Sequence, residues 1–162
     1  MAKPTQYATS ICLVLTVIAL AGMIIGLLKM NPLITIILLI PTVAYEVYRT
    51  EGKSTTLASW LLLLVFAAIT VLFIFNINYD LSAILGISNL NVGGYPVPLG
   101  EIRVVGPAIV AVLAAILFFR TRGVYTKWLA VVILVGSLVV IYIIAPAMFG
   151  DVLAPFLSRL RF

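Results

Sequence analysis

Five carboxylates, one thiol and no imidazole are all that this sequence offers for acid, base, nucleophilic or metal chemistry. Without histidine, imidazole ligation of haem, copper or zinc and any imidazole proton relay are excluded. Cys12 stands alone in an apolar run, so no intrachain disulfide forms, and it is expected as a small buried hydrophobe. Glu46 precedes Arg49 by three residues, a spacing that puts both on one helical face, so an interfacial ion pair is expected. Its alternative role is a proton or cation site. Asp80 and Asp151 are expected to cap short interfacial helices, and Glu101 with Arg103 to form a solvated edge. No two acids fall where a substrate would be enclosed. The chain is therefore expected not to be an enzyme, and no cofactor is readable; a bound lipid, quinone or carotenoid would leave no mark.

These groups need positioning, and the composition dictates how. Of 162 residues, 64% are hydrophobic and 9% charged, too few polar groups for a solvated exterior, where about 25% charged is usual. The solvent must be a bilayer. Five apolar runs are long enough to cross about 30 Å of hydrocarbon: 8–28, 33–48, 57–77, 104–119 and 128–149. They lack the alternation of barrel strands, so the expected fold is all-α, a polytopic transmembrane helical bundle. Lys3 before the first run, with Ala19 and Ala21 in it, has the outline of a cleaved leader. That run is long for one, and is expected to remain as a span.

Asn31-Pro32 supplies a cap and first-turn proline for helix two. Ser54, Thr55 and Thr56 are expected to cap helix three, with Gly52 and Gly123 permitting tight reversals. Pro41 should kink helix two, its freed carbonyl taken by neighbours or Thr42, and Pro146 should loosen the end of helix five. Tyr48-Arg49-Thr50-Glu51-Gly52 aligns with Phe119-Arg120-Thr121-Arg122-Gly123 at an offset of 71 residues, which also pairs Thr55 with Thr126 and Asp80 with Asp151. The implied organisation is one helix followed by two tandem hairpins, an internal repeat.

Five spans put Lys3, Arg49, Lys53, Arg120, Arg122 and Lys127 on one side, six basic residues against four on the other. A multi-pass protein of the cell inner membrane with a cytoplasmic N-terminus is expected. Trp60, Trp128, Tyr45, Tyr48 and Tyr125 would form the inner aromatic belt, and Tyr79, Tyr95 and Phe149 the outer one. The outer loop, 78–103, calls for turns and extended backbone around Gly93-Gly94-Tyr95-Pro96, and 151–162 for an amphipathic segment. The scattered basic residues form no nucleic-acid patch.

Deeper polar groups are mild: Thr16, Thr35, Thr42, Thr70, Asn76, Ser137 and Tyr142 can bond to helix carbonyls. Gly22 with Gly26, Ala111 with Ala115, and Gly136 beside Ser137 form small-residue seams that invite close helix contact, within this chain or with partner subunits. These features favour a non-catalytic small subunit or accessory protein of a larger membrane complex, respiratory or photosynthetic for instance, surrounded by membrane lipid. The alternative is a small oligomeric ion or solute transporter or channel using Glu46.

Overall fold

The computed structural model describes residues 7–77, 90–92, 95–97 and 102–146. Among these, five helices form: α1 (Ala8–Lys29), α2 (Pro32–Arg49), α3 (Lys53–Ile74), α4 (Ile102–Arg120) and α5 (Val124–Ile144). At about 1.5 Å per residue their lengths come to roughly 27 to 33 Å, the thickness of a hydrocarbon core. All five are long and apolar enough to cross a membrane. The chain is a multi-pass membrane protein with an all-α bundle, as its composition required. In the connection between α3 and α4, β1 (Leu90–Val92) and β2 (Tyr95–Val97) pair antiparallel, Leu90 opposite Val97 and Val92 opposite Tyr95, where only turns and extended backbone were expected. The interfacial helices expected at Asp80 and Asp151, and the segment 151–162, lie outside the described residues.

Two helices start one turn earlier than their apolar runs: α3 at Lys53 instead of Leu57, and α5 at Val124 instead of Trp128. Hydropathy locates the oily stretch, but a helix begins where the backbone reverses. Gly52 does this for α3 at φ +106°, a conformation disfavoured for residues with a side chain, and no side chain caps the helix. Thr55, expected as a cap with Ser54 and Thr56, instead turns its hydroxyl back to the carbonyls of Glu51 at 2.6 Å and Gly52 at 2.9 Å.

Asn31 closes one helix and opens the next. Its N–H donates to the Gly26 carbonyl at 2.9 Å around Met30, which is left-handed at φ 48°. Its Oδ1 accepts from the Leu33 N–H at 3.0 Å, with Pro32 following as expected. Asn76, at φ 54°, ends α3 in the same way, the Ile77 N–H donating to the Leu72 carbonyl at 3.0 Å. Arg103 at the start of α4 donates to the Asn76 side chain, which ties the end of α3 to the start of α4. Helix α2 continues through Pro41, and the Thr42 hydroxyl, expected to take up the freed carbonyl, makes no hydrogen bond.

The central pair is α2 and α5. Helix α2 contacts α1, α3 and α5; α5 contacts α1, α2 and α4; α3 and α4 meet on the far side. Helices α2 to α5 thus close a four-helix ring against which α1 leans. Leu39, Leu62, Phe66, Val110 and Ile133 fill the ring, while Leu13, Val17, Leu64, Val112 and Phe119 face outward. The glycine seams are filled from within the chain. A Cβ on Gly22 would lie 2.6 Å from Leu38 Cβ and one on Gly136 2.5 Å from Leu39 Cδ1, while one on Gly26 would overlap Thr35 Oγ1. The seam expected at Ala111 and Ala115 sits half-buried at the edge of α4. The close approach of α4 to α3 falls instead at Gly106, where a Cβ would lie 2.7 Å from Ile69 Cγ1.

The shared corner at residues 30 and 31 makes a direct test. Relieving the left-handed strain with Met30→Gly should raise stability by about 1 kcal/mol. Asn31→Ala, which removes the cap, should lower it by about 1 kcal/mol. Thermal unfolding in detergent micelles reads both signs.

Candidate functional site

The buried face of α2 carries an unusual series. Thr35, Thr42 and Glu46 are wholly enclosed, and Thr50, just beyond the last turn, is nearly so. Spacings of seven, four and four residues align them along one side of the helix, with Leu39 between Thr35 and Thr42. Near the N-terminal end of α2, Thr35 donates to the Gly22 carbonyl of α1 at 3.2 Å. The other three lie at the end that carries the basic turns or within two turns of it.

Glu46 is the centre of this group. Its Oε1 accepts from Thr50 Oγ1 at 2.6 Å and from Ser59 Oγ of α3 at 2.8 Å. Thr50 Oγ1 also lies 2.9 Å from the Glu46 backbone carbonyl. The other carboxylate oxygen, Oε2, makes no hydrogen bond, and neither does Thr42 Oγ1 one turn deeper. Buried polar atoms are nearly always satisfied, so two orphans on successive turns of one helix face need a physical account.

The ion pair expected between Glu46 and Arg49 is not made. The Arg49 guanidinium lies over the Tyr125 ring of α5, 4.7 Å from its centre, and the Tyr125 hydroxyl is 2.8 Å from Thr9 Oγ1 of α1. Three residues leave two side chains roughly 60° apart around a helix. Here that angle is enough for α3 to receive the acid and α5 the base. Among the described residues no basic group pairs with Glu46. Lys127 likewise rests against an aromatic ring, that of Phe118 at 5.7 Å, and Arg120 is exposed at the end of α4. Trp128 Nε1 donates to Thr16 Oγ1 at 2.9 Å, and Thr16 in turn to the Cys12 carbonyl at 2.7 Å. Cys12 is enclosed with Leu15 and Leu129.

The two basic turns share their hydrogen bonding. The Thr50 N–H donates to the Glu46 carbonyl and the Thr121 N–H to that of Leu117, both at 2.9 Å. Thr55 Oγ1 bonds the Gly52 carbonyl at 2.9 Å and Thr126 Oγ1 that of Gly123 at 2.8 Å. They differ in what the buried threonine meets. Leu117 stands where Glu46 would be and Ala130 where Ser59 would be, so Thr121 Oγ1 is enclosed without a partner.

Ser59 and Thr50 were not anticipated as partners of Glu46, although a signal for both exists. Thr50 follows Glu46 by one turn, and Ser59 lies nearly as far after Gly52 as Glu46 lies before it. An antiparallel helical hairpin folded at that glycine brings such positions side by side. Chemically, the cluster offers one carboxylate whose first oxygen is saturated by two hydroxyl donors and whose second is free. It can hold a proton or a small cation. No protein-family model matches the chain, and no curated protein or solved structure registers as similar to it.

Stability separates the parts of this cluster. Ser59→Ala strips a donor from an enclosed carboxylate and should cost about 1 to 3 kcal/mol. Combining Glu46→Leu with Ser59→Ala removes the acid and its α3 donor together, leaving the Thr50 hydroxyl on the backbone carbonyl of residue 46, and should leave unfolding at or above the wild-type midpoint. A large further loss in the double variant would mean that Glu46 holds the fold together.

Proposed function

We propose that this chain is a small transporter or channel for a proton or monovalent cation, with Glu46 as the loading site. One observation supports this reading above the others: an enclosed carboxylate with which no basic group pairs among the described residues, one of its oxygens making no hydrogen bond. An ionised group inside a membrane protein costs several kcal/mol unless it is compensated, so ionisable residues there usually serve function. Charge balance at Glu46 calls for a proton or a cation at Oε2. One carboxylate balances a single positive charge, whereas divalent ions usually draw more carboxylate oxygens.

The accessory-subunit reading drew on the lack of ligands and of buried charge and on small-residue seams open to this chain or to a partner. Glu46 is enclosed, and Gly22, Gly26 and Gly136 are met by Leu38, Thr35 and Leu39 of the same chain, while Ala111 and Ala115 are half-buried; the enclosed acid favours the transporter reading. In this proposal the chain is not an enzyme, and it sits in the cell membrane with its basic turns toward the cytoplasm. The hairpins α2–α3 and α4–α5 are taken as a duplicated unit in which only the first keeps the acid, giving one ion site per chain.

Purified protein in sealed vesicles should pass protons or alkali cations down an imposed gradient. Glu46→Gln should reduce that flux to the level of protein-free vesicles, while Arg49→Gln, which touches Tyr125 and not the acid, should retain it. A native flux in Glu46→Gln, or no flux in the wild type, would remove the proposal.

A further inference from the structure

Resting on that reading of Glu46, we infer that its guest is a proton carried on Oε2, and that Thr42 is the second anchor of the site, linked to it through one water molecule.

The two oxygens of the carboxyl group are not equivalent. Oε1 takes two hydroxyl hydrogens, from Thr50 and Ser59, and has no room for a third. An acid hydrogen therefore belongs on Oε2, the oxygen that makes no hydrogen bond in the protein. Thr42 Oγ1 is the other unsatisfied atom, four residues earlier on the same face and equally enclosed. Side chains so spaced have Cβ atoms about 5 to 6 Å apart, within the span of one bridging water. A buried water needs roughly two to four polar partners. Oε2–H can donate to it and the Thr42 hydroxyl can donate or accept, so one small guest answers both orphans.

The same inventory argues against a metal cation. A hard cation gathers about six oxygen ligands. The hydroxyls of Thr50 and Ser59 are already committed to Oε1, which leaves Oε2 and Thr42 Oγ1 to face a guest. That pair suits a proton and a water. The loading step balances simply: a hydronium ion gives its proton to the Oε2 carboxylate and remains as the bridging water, with no other bond formed or broken. Inward of Thr42 the face continues with Leu39, and Thr35 beyond it is occupied with the Gly22 carbonyl. The hydroxyl series of α2 thus serves the basic-turn side of the bundle.

Other ionisable groups at this end are Arg49, Tyr45 and Tyr48 on α2 itself, with Glu51 in the turn after it, and Arg120 and Arg122 at the exposed turn between α4 and α5. Cys12 comes from α1, Lys53 from the first position of α3, and Tyr125 and Lys127 from α5. Arg49 lies on Tyr125, Lys127 on Phe118, and Tyr45 stacks with Tyr48. Among the residues whose side chains are described, no base pairs with the acid.

Infrared difference spectra of the full chain in liposomes, recorded across pH steps, test this. Lowering the pH should raise one carboxylic-acid carbonyl band that is missing in Glu46→Gln and unchanged when sodium is replaced by N-methylglucamine. Thr42→Val should shift the band's frequency and titration midpoint, and Thr42→Ser should restore both. In the wild type, exchange into D2O should move the band promptly, a readout that needs no variant. A carboxylate signal responding to sodium at fixed pH would assign the guest to a metal cation and overturn the proton while leaving ion handling intact. An identical band in Thr42→Val would remove Thr42 from the site. If the band behaves as expected but the vesicles show no flux, the proton site stands and the transport reading falls.

Discussion

Hydrocarbon supplies no hydrogen bonds, and every polar group carried into it must be answered by the chain itself. Most side chains here comply locally. Thr16, Thr70 and Ser137 return their hydroxyls to carbonyls four residues back, which costs the bundle nothing in tertiary arrangement. Glu46 cannot comply this way, because a carboxylate only accepts. It needs donors, and the nearest are a threonine at the end of its own helix and a serine on the next. The tight turn at Gly52, the early start of α3 and the register of the α2–α3 hairpin all bear on whether those donors arrive.

Much of the fold was legible because few physical solutions exist for a chain this apolar. The five spans follow from run length alone, and the α1–α2 corner from Asn31-Pro32. Helix starts were less legible. The first turns of α3 and α5 contain Lys53, Ser54, Thr55, Tyr125 and Thr126, which lower hydropathy without ending a helix, so the apolar runs begin a turn late. The short β hairpin escaped notice because three-residue strands carry no period.

The site was legible in part. Glu46 was identifiable as the one acid inside a span, and Thr42 and Thr50 stand one turn to either side of it. What the sequence could not convey was the direction of each side chain around α2. A rule that pairs residues three apart predicted Arg49, but it ignores what the neighbouring helices offer: a hydroxyl from α3 on one side and an aromatic ring from α5 on the other. Rotation about a helix axis is a tertiary quantity, and here it decided between a pair with Arg49 and an acid held by two hydroxyls.

The brevity of the connections bears on biogenesis. Two residues separate α1 from α2, and three separate α2 from α3 and α4 from α5. Such joints cannot let one helix invert while its neighbour stays. The translocation machinery therefore has two topological decisions to make, one for the leading trio and one for the trailing pair. Only the stretch between Ile74 and Ile102 is long enough to uncouple them.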